Sequence, residues 1–244
     1  MDRLSTDRSG TLSRRFPLAR VCLALVMGTA LLVTLPGCQI VIGVLALFQG
    51  FPKQDCDFKK QTKKDFAAKG QKVLIVSTSS APALSEHPSL DMDIVAELTR
   101  RLRAQEIKII DSGKIAKYID DNGGVSEETD LGALGAKFGA DLILLVKFDE
   151  FRFREPNSPQ LYQGKARGTM VVIEIQKKGE EKDKDKLKPL AKKIYYRPFD
   201  SKFPLHSAIP AESERPALFK QRYLARLSDE LARHYYDHRP GEDM

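Results

Sequence analysis

The apolar positions of the chain fall into two regimes. Residues 21–34 (VCLALVMGTALLVT) form an uncharged run that residues 40–48 (IVIGVLALF) prolong. From residue 72 onward the apolar residues come instead in short runs and periodic stripes, the pattern of a packed domain. Residues 73–78 (VLIVST) are β-branched and continuous, which predicts a buried strand. A loop with Pro82 and Pro88 follows. Leu90, Ile94, Val95, Leu98 and Leu102 recur at helical spacing, with Arg100, Arg101 and Arg103 placed late, where cations suit a helix C-terminus. Residues 107–110 predict a second short strand. Asp111 or Ser112 then caps a helix to about Asp120 that Asn122, Gly123 and Gly124 stop, and Thr129 or Asp130 caps a helix over 131–138 ending at Gly139.

The most apolar stretch, residues 141–148 (DLILLVKF), predicts a central strand. Phe151 and Phe153 alternate beyond it, and Phe148 falls on the other parity unless a bulge intervenes. Turn residues at 156–159 lead to a long strand over 162–176, where Gly164 and Gly168 mark bends or bulges. Residues 180–188 (EEKDKDKLK) read as a solvated hairpin tip, and 190–199 as the antiparallel return strand. A last helix over 215–236 presents Leu218, Leu224, Leu227, Leu231 and Tyr235 as its apolar stripe. The order predicts one α/β domain over residues 72–238, followed by a tail, 239–244. Its sheet is mixed, with parallel first strands joined by a right-handed helical crossover, an antiparallel meander and flanking helices.

The N-terminal regime reads as an export signal. Arg3, Arg8, Arg14, Arg15 and Arg20 precede the apolar run, the order in which a basic segment stays behind while an apolar one enters the translocon. Leu35, Pro36, Gly37 and Cys38 then resemble the bacterial lipobox, in which the cysteine receives a diacylglyceryl group and becomes the new N-terminus. Pro36 departs from the small or hydroxylated residue usual there. The resemblance implies a signal peptide over 1–37 and palmitate-type acylation of Cys38. An uncleaved anchor stays open, because residues 21–48 exceed the roughly 20 residues needed to span a bilayer. Residues 13–16 also resemble the start of a twin-arginine signal, from which Pro17 departs. Each route puts the rest of the chain outside the cytoplasm, in the cell envelope, and Gln39 leaves the choice of membrane open.

Composition matters once that signal is set aside. The formal charge of +7 looks basic, but beyond residue 37 there are 35 Lys and Arg against 31 Asp and Glu, a balance of +4. Nucleic acid is therefore not expected as a partner. Residues 38–71 are expected to be a tether: apolar residues 40–51 lie beside the lipid, and the lysine-rich stretch after Lys53 is a linker or a solvated helix near anionic headgroups. Cys22, Cys38 and Cys56 are too few for a disulfide scaffold or a four-cysteine zinc module. Cys56 is expected to be an inert thiol in the tether.

The strings VLIV (73–76), IVAELTRRL (94–102), IKIID (107–111) and LGAKFGADLILLV (134–146) together resemble a known periplasmic α/β domain. The curli-export lipoprotein, the lipoprotein activators of penicillin-binding proteins and the N-terminal part of the Tol periplasmic protein share it. The resemblance implies non-enzymatic envelope work: ring assembly, activation of a synthase, or bridging of envelope complexes. The charged 180s hairpin and the long last helix depart from it, and the hairpin lacks the apolar alternation that a pore strand requires.

Few residues point to chemistry. His234 and His238 are four apart and could share a helix face for a metal, yet no third ligand is apparent, and two surface histidines are the simpler account. Ser77, Ser79 and Ser80 follow a strand without a nucleophile elbow. Asp91 and Asp93 suit a helix start. Gly132, Gly135 and Gly139 lack the spacing of a phosphate loop. Residues 147–154 (KFDEFRFR) mix rings and cations as single-strand nucleic-acid binders do, but equally suit a half-buried edge strand. The expectation is a membrane-anchored envelope lipoprotein whose domain binds a protein partner without catalysis, cofactor or metal, with self-assembly allowed. The alternative is an extracytoplasmic hydrolase or small-ligand binder with a scattered site.

Overall fold

The computed structural model describes residues 53–121, 131–176 and 190–239. The signal, the lipobox with Cys38, residues 40–51, the expected stop at 122–124, the caps at 129–130 and the 180s tip lie outside the described residues. By its internal contacts the chain divides into residues 1–52 and Lys53–Met244, and all described residues belong to the second unit. Its elements are α1 (Asp57–Thr62), β1 (Val73–Ser79), α2 (Ala81–Glu86), α3 (Leu90–Ala104), α4 (Ser112–Asp121), α5 (Leu131–Phe138), β2 (Leu142–Glu155), β3 (Ser158–Gln176), β4 (Leu190–Phe203), β5 (Ile209–Pro210), α6 (Pro216–Ala232) and a 3-10 turn (Arg233–Tyr235).

The sheet order is β1-β2-β3-β4, with β5 paired to β3. β1 and β2 are parallel and the other pairings antiparallel, which is the mixed α/β fold expected. The unbroken apolar runs of β1 and β2 follow from cover on both faces, which leaves no solvent-facing positions to be polar. On one face Val73, Ile75, Leu142, Leu144, Val146 and Met170 pack with the buried stripes of α3 and α6. On the other, Leu74, Val76, Ile143, Leu145 and Val171 meet Ile115 of α4 and Leu134 of α5. Gly135 permits that second contact, since a Cβ there would stand 2.7 Å from Ile175 Cγ1.

The parity of the phenylalanines is resolved by a bulge. Phe148 pairs with Gly168 and Glu150 with Arg167, so Asp149 is the extra residue, and Phe148, Phe151 and Phe153 all enter one core. The Asp149 carbonyl is not wasted: Ser80 Oγ donates to it at 2.8 Å. Gly168 is needed opposite, because any side chain would strike the Lys147 carbonyl oxygen.

Four expectations need correction. Residues 81–86, expected as loop, form α2, with Pro82 in the first turn, where its missing N–H costs nothing. Residues 107–110 do not make a strand. The short path from α3 to α4 leaves room for one bridge, Val73 to Ile109, with Val73 N–H donating to Lys108 O and Ile110 N–H to Val73 O. The stripe of the last helix is Phe219, Tyr223, Leu227 and Leu231, continued by Tyr235, while Leu218 is 49% exposed. Leu227, Leu231 and Tyr235 are buried as expected, and the i, i+4 row continues back through Phe219 and Tyr223 in place of Leu218 and Leu224. Finally, the lysine-rich stretch is no solvated linker from Lys53 on, since Cys56, Phe58 and Phe66 are buried in the main core. Phe58 meets Phe66 edge-on at 4.6 Å and Tyr195 at 5.5 Å.

Candidate functional site

Two concavities sit at opposite edges of the sheet. The first is a cleft of about 400 Å³ beside β1, walled by Met92 and Val95 of α3 and by Ile115, Ala116 and Ile119 of α4, with Ile75 and Ser77 at its floor. Its existence follows from the abbreviated 107–110 segment. Val73 turns its N–H and C=O away from β2 to that segment, and backbone groups in a strand alternate sides. The same outward side therefore receives the N–H and C=O of Ile75 and Ser77, facing the cleft after the bridging segment has turned into α4.

Polar groups in this cleft are few and held in place. Ser77 Oγ and Ser79 Oγ both donate to Asp91 Oδ1 at 2.7 Å, so the expected helix-start carboxylate also ties β1 to α3. Asp93 is engaged away from the cleft, accepting from Ser89 Oγ and meeting His87 Nε2, each at 2.7 Å. Asp111 Oδ1 accepts from Gly113 N–H and caps α4. Met92 is 65% exposed, a large apolar side chain off the buried stripe of its helix. The arrangement can grip an extended chain: apolar walls take side chains, and the open edge offers main-chain donors and acceptors.

The second concavity, of about 390 Å³, lies where α1, β4 and the end of α6 meet, and is polar. Asp57 accepts from Tyr195 Oη at 2.7 Å and Arg197 Nη1 at 2.5 Å, and His234 Nδ1 lies 4.0 Å away. Burial would raise the Asp57 carboxyl, but the bonds from Tyr195 and Arg197 hold it below its ordinary value. Burial, helped by the Arg197 charge, takes His234 down to about 4, so its ring is neutral at neutral pH. Arg226 pairs with Glu230 and Arg233 with Asp229, each at 2.8 Å. Arg101 reaches Asp229 at 2.7 Å and ties α3 to α6. Every cation lining the pocket except Lys60 is thus paired with a carboxylate.

His234 and His238 do line one pocket, as their spacing allowed. Among the described residues, however, no group of three or more His, Cys, Asp or Glu side chains is placed to hold a metal. The rings of residues 147–154 point into the core, Phe151 stacking on Tyr223 at 5.7 Å, so they are not a stacking platform. Gly139 ends α5 at φ +66°, the left-handed position expected of it. Cys56 is buried, its thiol pushed up by desolvation, and its N–H donates to Asp237 Oδ1 at 2.9 Å. Neither concavity was legible beforehand: Asp57 and Arg197 are 140 residues apart, and only Met92, apolar and out of phase, signalled the cleft.

No family model and no curated protein matches the chain. Among solved structures it is similar to the lipoprotein GNA1162 from Neisseria meningitidis, with 10% identity, 66% of this chain and 98% of that one covered, and a TM-score of 0.41. It is also similar to the PelC dodecamer from Paraburkholderia phytofirmans, at 12% identity over 69% and 92% of the two chains, with a TM-score of 0.35. A hypothetical protein from Chlamydia trachomatis shows 14% identity over 68% and 97%, with a TM-score of 0.37. All three are distant likenesses, and none is named for the families that the sequence resembles. Among the described residues, no helix is long and apolar enough to cross a membrane.

Proposed function

We propose that this protein is a membrane-anchored envelope lipoprotein whose α/β domain binds a protein partner without catalysis. The observation that supports the reading best is the apolar cleft along the outward edge of β1. It suits an extended apolar segment of the partner, added beside β1 as a further strand. Main-chain hydrogen bonds would supply affinity, and the walls from α3 and α4 would select side chains. Cys38, acylated, holds the domain to the membrane. Fourteen residues lie between it and Lys53, so the fold stays within about 50 Å of its lipid at a full extension of about 3.5 Å per residue.

Two measurements test this. A photocrosslinking amino acid at Met92 should trap a partner in intact membranes, and Val95→Asp should abolish the product while the protein remains folded. Adducts of equal yield from a crosslinker at Lys114, outside the cleft, would sink the cleft as the docking site. Separately, Cys38→Ala should remove palmitate label and leave an unprocessed precursor; unchanged mobility and no label in the parent would sink the anchor.

A second reading, small-ligand binding, is favoured by the polar pocket with its paired carboxylates and His234. Its internal pairing of charges weakens it, because a ligand would have to displace ion pairs already made. Loss of a bound metabolite on Arg197→Ala, seen by mass spectrometry of the native protein, would favour it.

A further inference from the structure

We infer that the lysines of α1 and the turn after it form a membrane-contact surface, which docks on anionic lipid headgroups and sets the orientation of the domain on the bilayer. This rests on the reading that the N-terminal segment holds the domain at a membrane.

The charge distribution is the first ground. Residues 38–52 carry no charge, residues 53–72 carry seven lysines against three aspartates, and residues 73–244 carry 28 basic and 28 acidic residues. The entire positive excess beyond Gly37 therefore lies in the twenty residues that follow the apolar run. A sequence-wide basic character would speak for any polyanion; an excess confined to the membrane-proximal end speaks for the lipid surface. Such attraction acts only within a Debye length, about 8 Å at physiological salt, so position decides whether it works.

The side chains are the second ground. Lys59 is spent on Asp55 and Asp237, and Lys64 on Glu174. Lys60, Lys63 and Lys69 are exposed and make no ion pair among the described residues. Asp57, the carboxylate that would offset them from within α1, is turned to Tyr195 and Arg197. The third ground is rigidity. Phe58 and Phe66 are buried in the core, Cys56 N–H is held by Asp237, and Gln54 N–H donates to His238 O at 2.9 Å. Lysines on a loose tether would only raise affinity. Lysines on an element locked to the core also fix which way the core faces, and with it the direction in which the β1 cleft is presented.

The test uses the full-length protein, purified from membranes and reconstituted into phosphatidylcholine vesicles with or without phosphatidylglycerol. A water-soluble acetylating reagent labels exposed lysines, and peptide mass spectrometry reads the rates. Lys60, Lys63 and Lys69 should react several-fold more slowly on the anionic vesicles, and high salt should erase the difference. Lys114 and Lys117 of α4, which packs on the other face of the sheet, should react alike on both. In a Lys60→Glu, Lys63→Glu protein, Lys69 should lose its protection. Equal rates for all five lysines on both vesicles would overturn the proposal, as would protection that appears only on adding an acidic protein. The same digests report the mass of the Cys38 peptide. Protected lysines with an unacylated Cys38 would sink the lipoprotein reading and leave this one standing; an acylated Cys38 with unprotected lysines would do the reverse.

Discussion

Gly164 illustrates how much a single position can hold. A Cβ there would stand 2.5 Å from the Tyr223 ring, which is itself boxed in by Phe151 at 5.7 Å and Phe203 at 6.3 Å. With no room to retreat, Gly164→Ala should cost about 1 to 3 kcal/mol, the usual range for overpacking, read as a lower urea midpoint with an unchanged slope. His234 sets a pH dependence of known sign. Its folded value of about 4 lies below the ordinary 6.5, so the unfolded chain takes up the proton first. Its contribution is complete above pH 6.5 and is lost as pH falls from there toward 4. Asp57, held below its ordinary value, stays ionised through that window. His234→Gln should flatten the stability profile between pH 6.5 and 4; an unchanged slope would assign it to other groups.

At the scale of elements, the periodic ones were legible in the sequence and the irregular ones were not. The apolar stripe of α3 is buried as its spacing predicts, apart from Val95, which is half-buried, and the unpredicted Thr99, which is buried beside it, because helical period and burial coincide when one face alone meets the core. The second half of the α6 stripe, Leu227, Leu231 and Tyr235, is buried as its spacing predicts, while in the first half Phe219 and Tyr223 take the places expected of Leu218 and Leu224, since counting leucines ignores that the rings bury more area. The 107–110 segment was β-branched and failed to form a strand because its connections were too short, which no local pattern records. α1 failed in the other direction: its lysines announced solvent, while Phe58, one residue in six, decided the packing. Phe58→Ala should therefore destabilise by about 3 to 5 kcal/mol, as for other buried phenylalanines, measurable by thermal melting. A loss below 1 kcal/mol would return α1 to the status of a tether.

For the whole molecule, the boundary of the folded unit follows from α1. A chain beginning at Lys53 should melt within a few degrees of the full-length protein. One beginning at Lys72 should lose cooperativity, because Tyr195 and Tyr235 would be uncovered where Phe58 and Phe66 now pack on them. Comparable melting of the two shortened proteins would contradict the packing of Phe58 and Phe66 on the core. The candidate sites belong to this scale as well. The β1 cleft is made by what the 107–110 segment leaves undone between α3 and α4, and the polar pocket joins residues from both ends of the unit.

The sequence by itself determined the fold class, the strands that bury both faces, the left-handed end at Gly139 and the concentration of positive charge ahead of residue 73. These are local quantities, written in period, composition and glycine placement. Tertiary structure alone decided which side of β1 stays open, which carboxylates are consumed by partners and that a lysine-rich segment belongs to the core. Each of those depends on segments that folding brings in from elsewhere in the chain, some of them more than a hundred residues away, as Arg197 is from Asp57, and a chain's periodicity carries no record of the neighbour that will cover it.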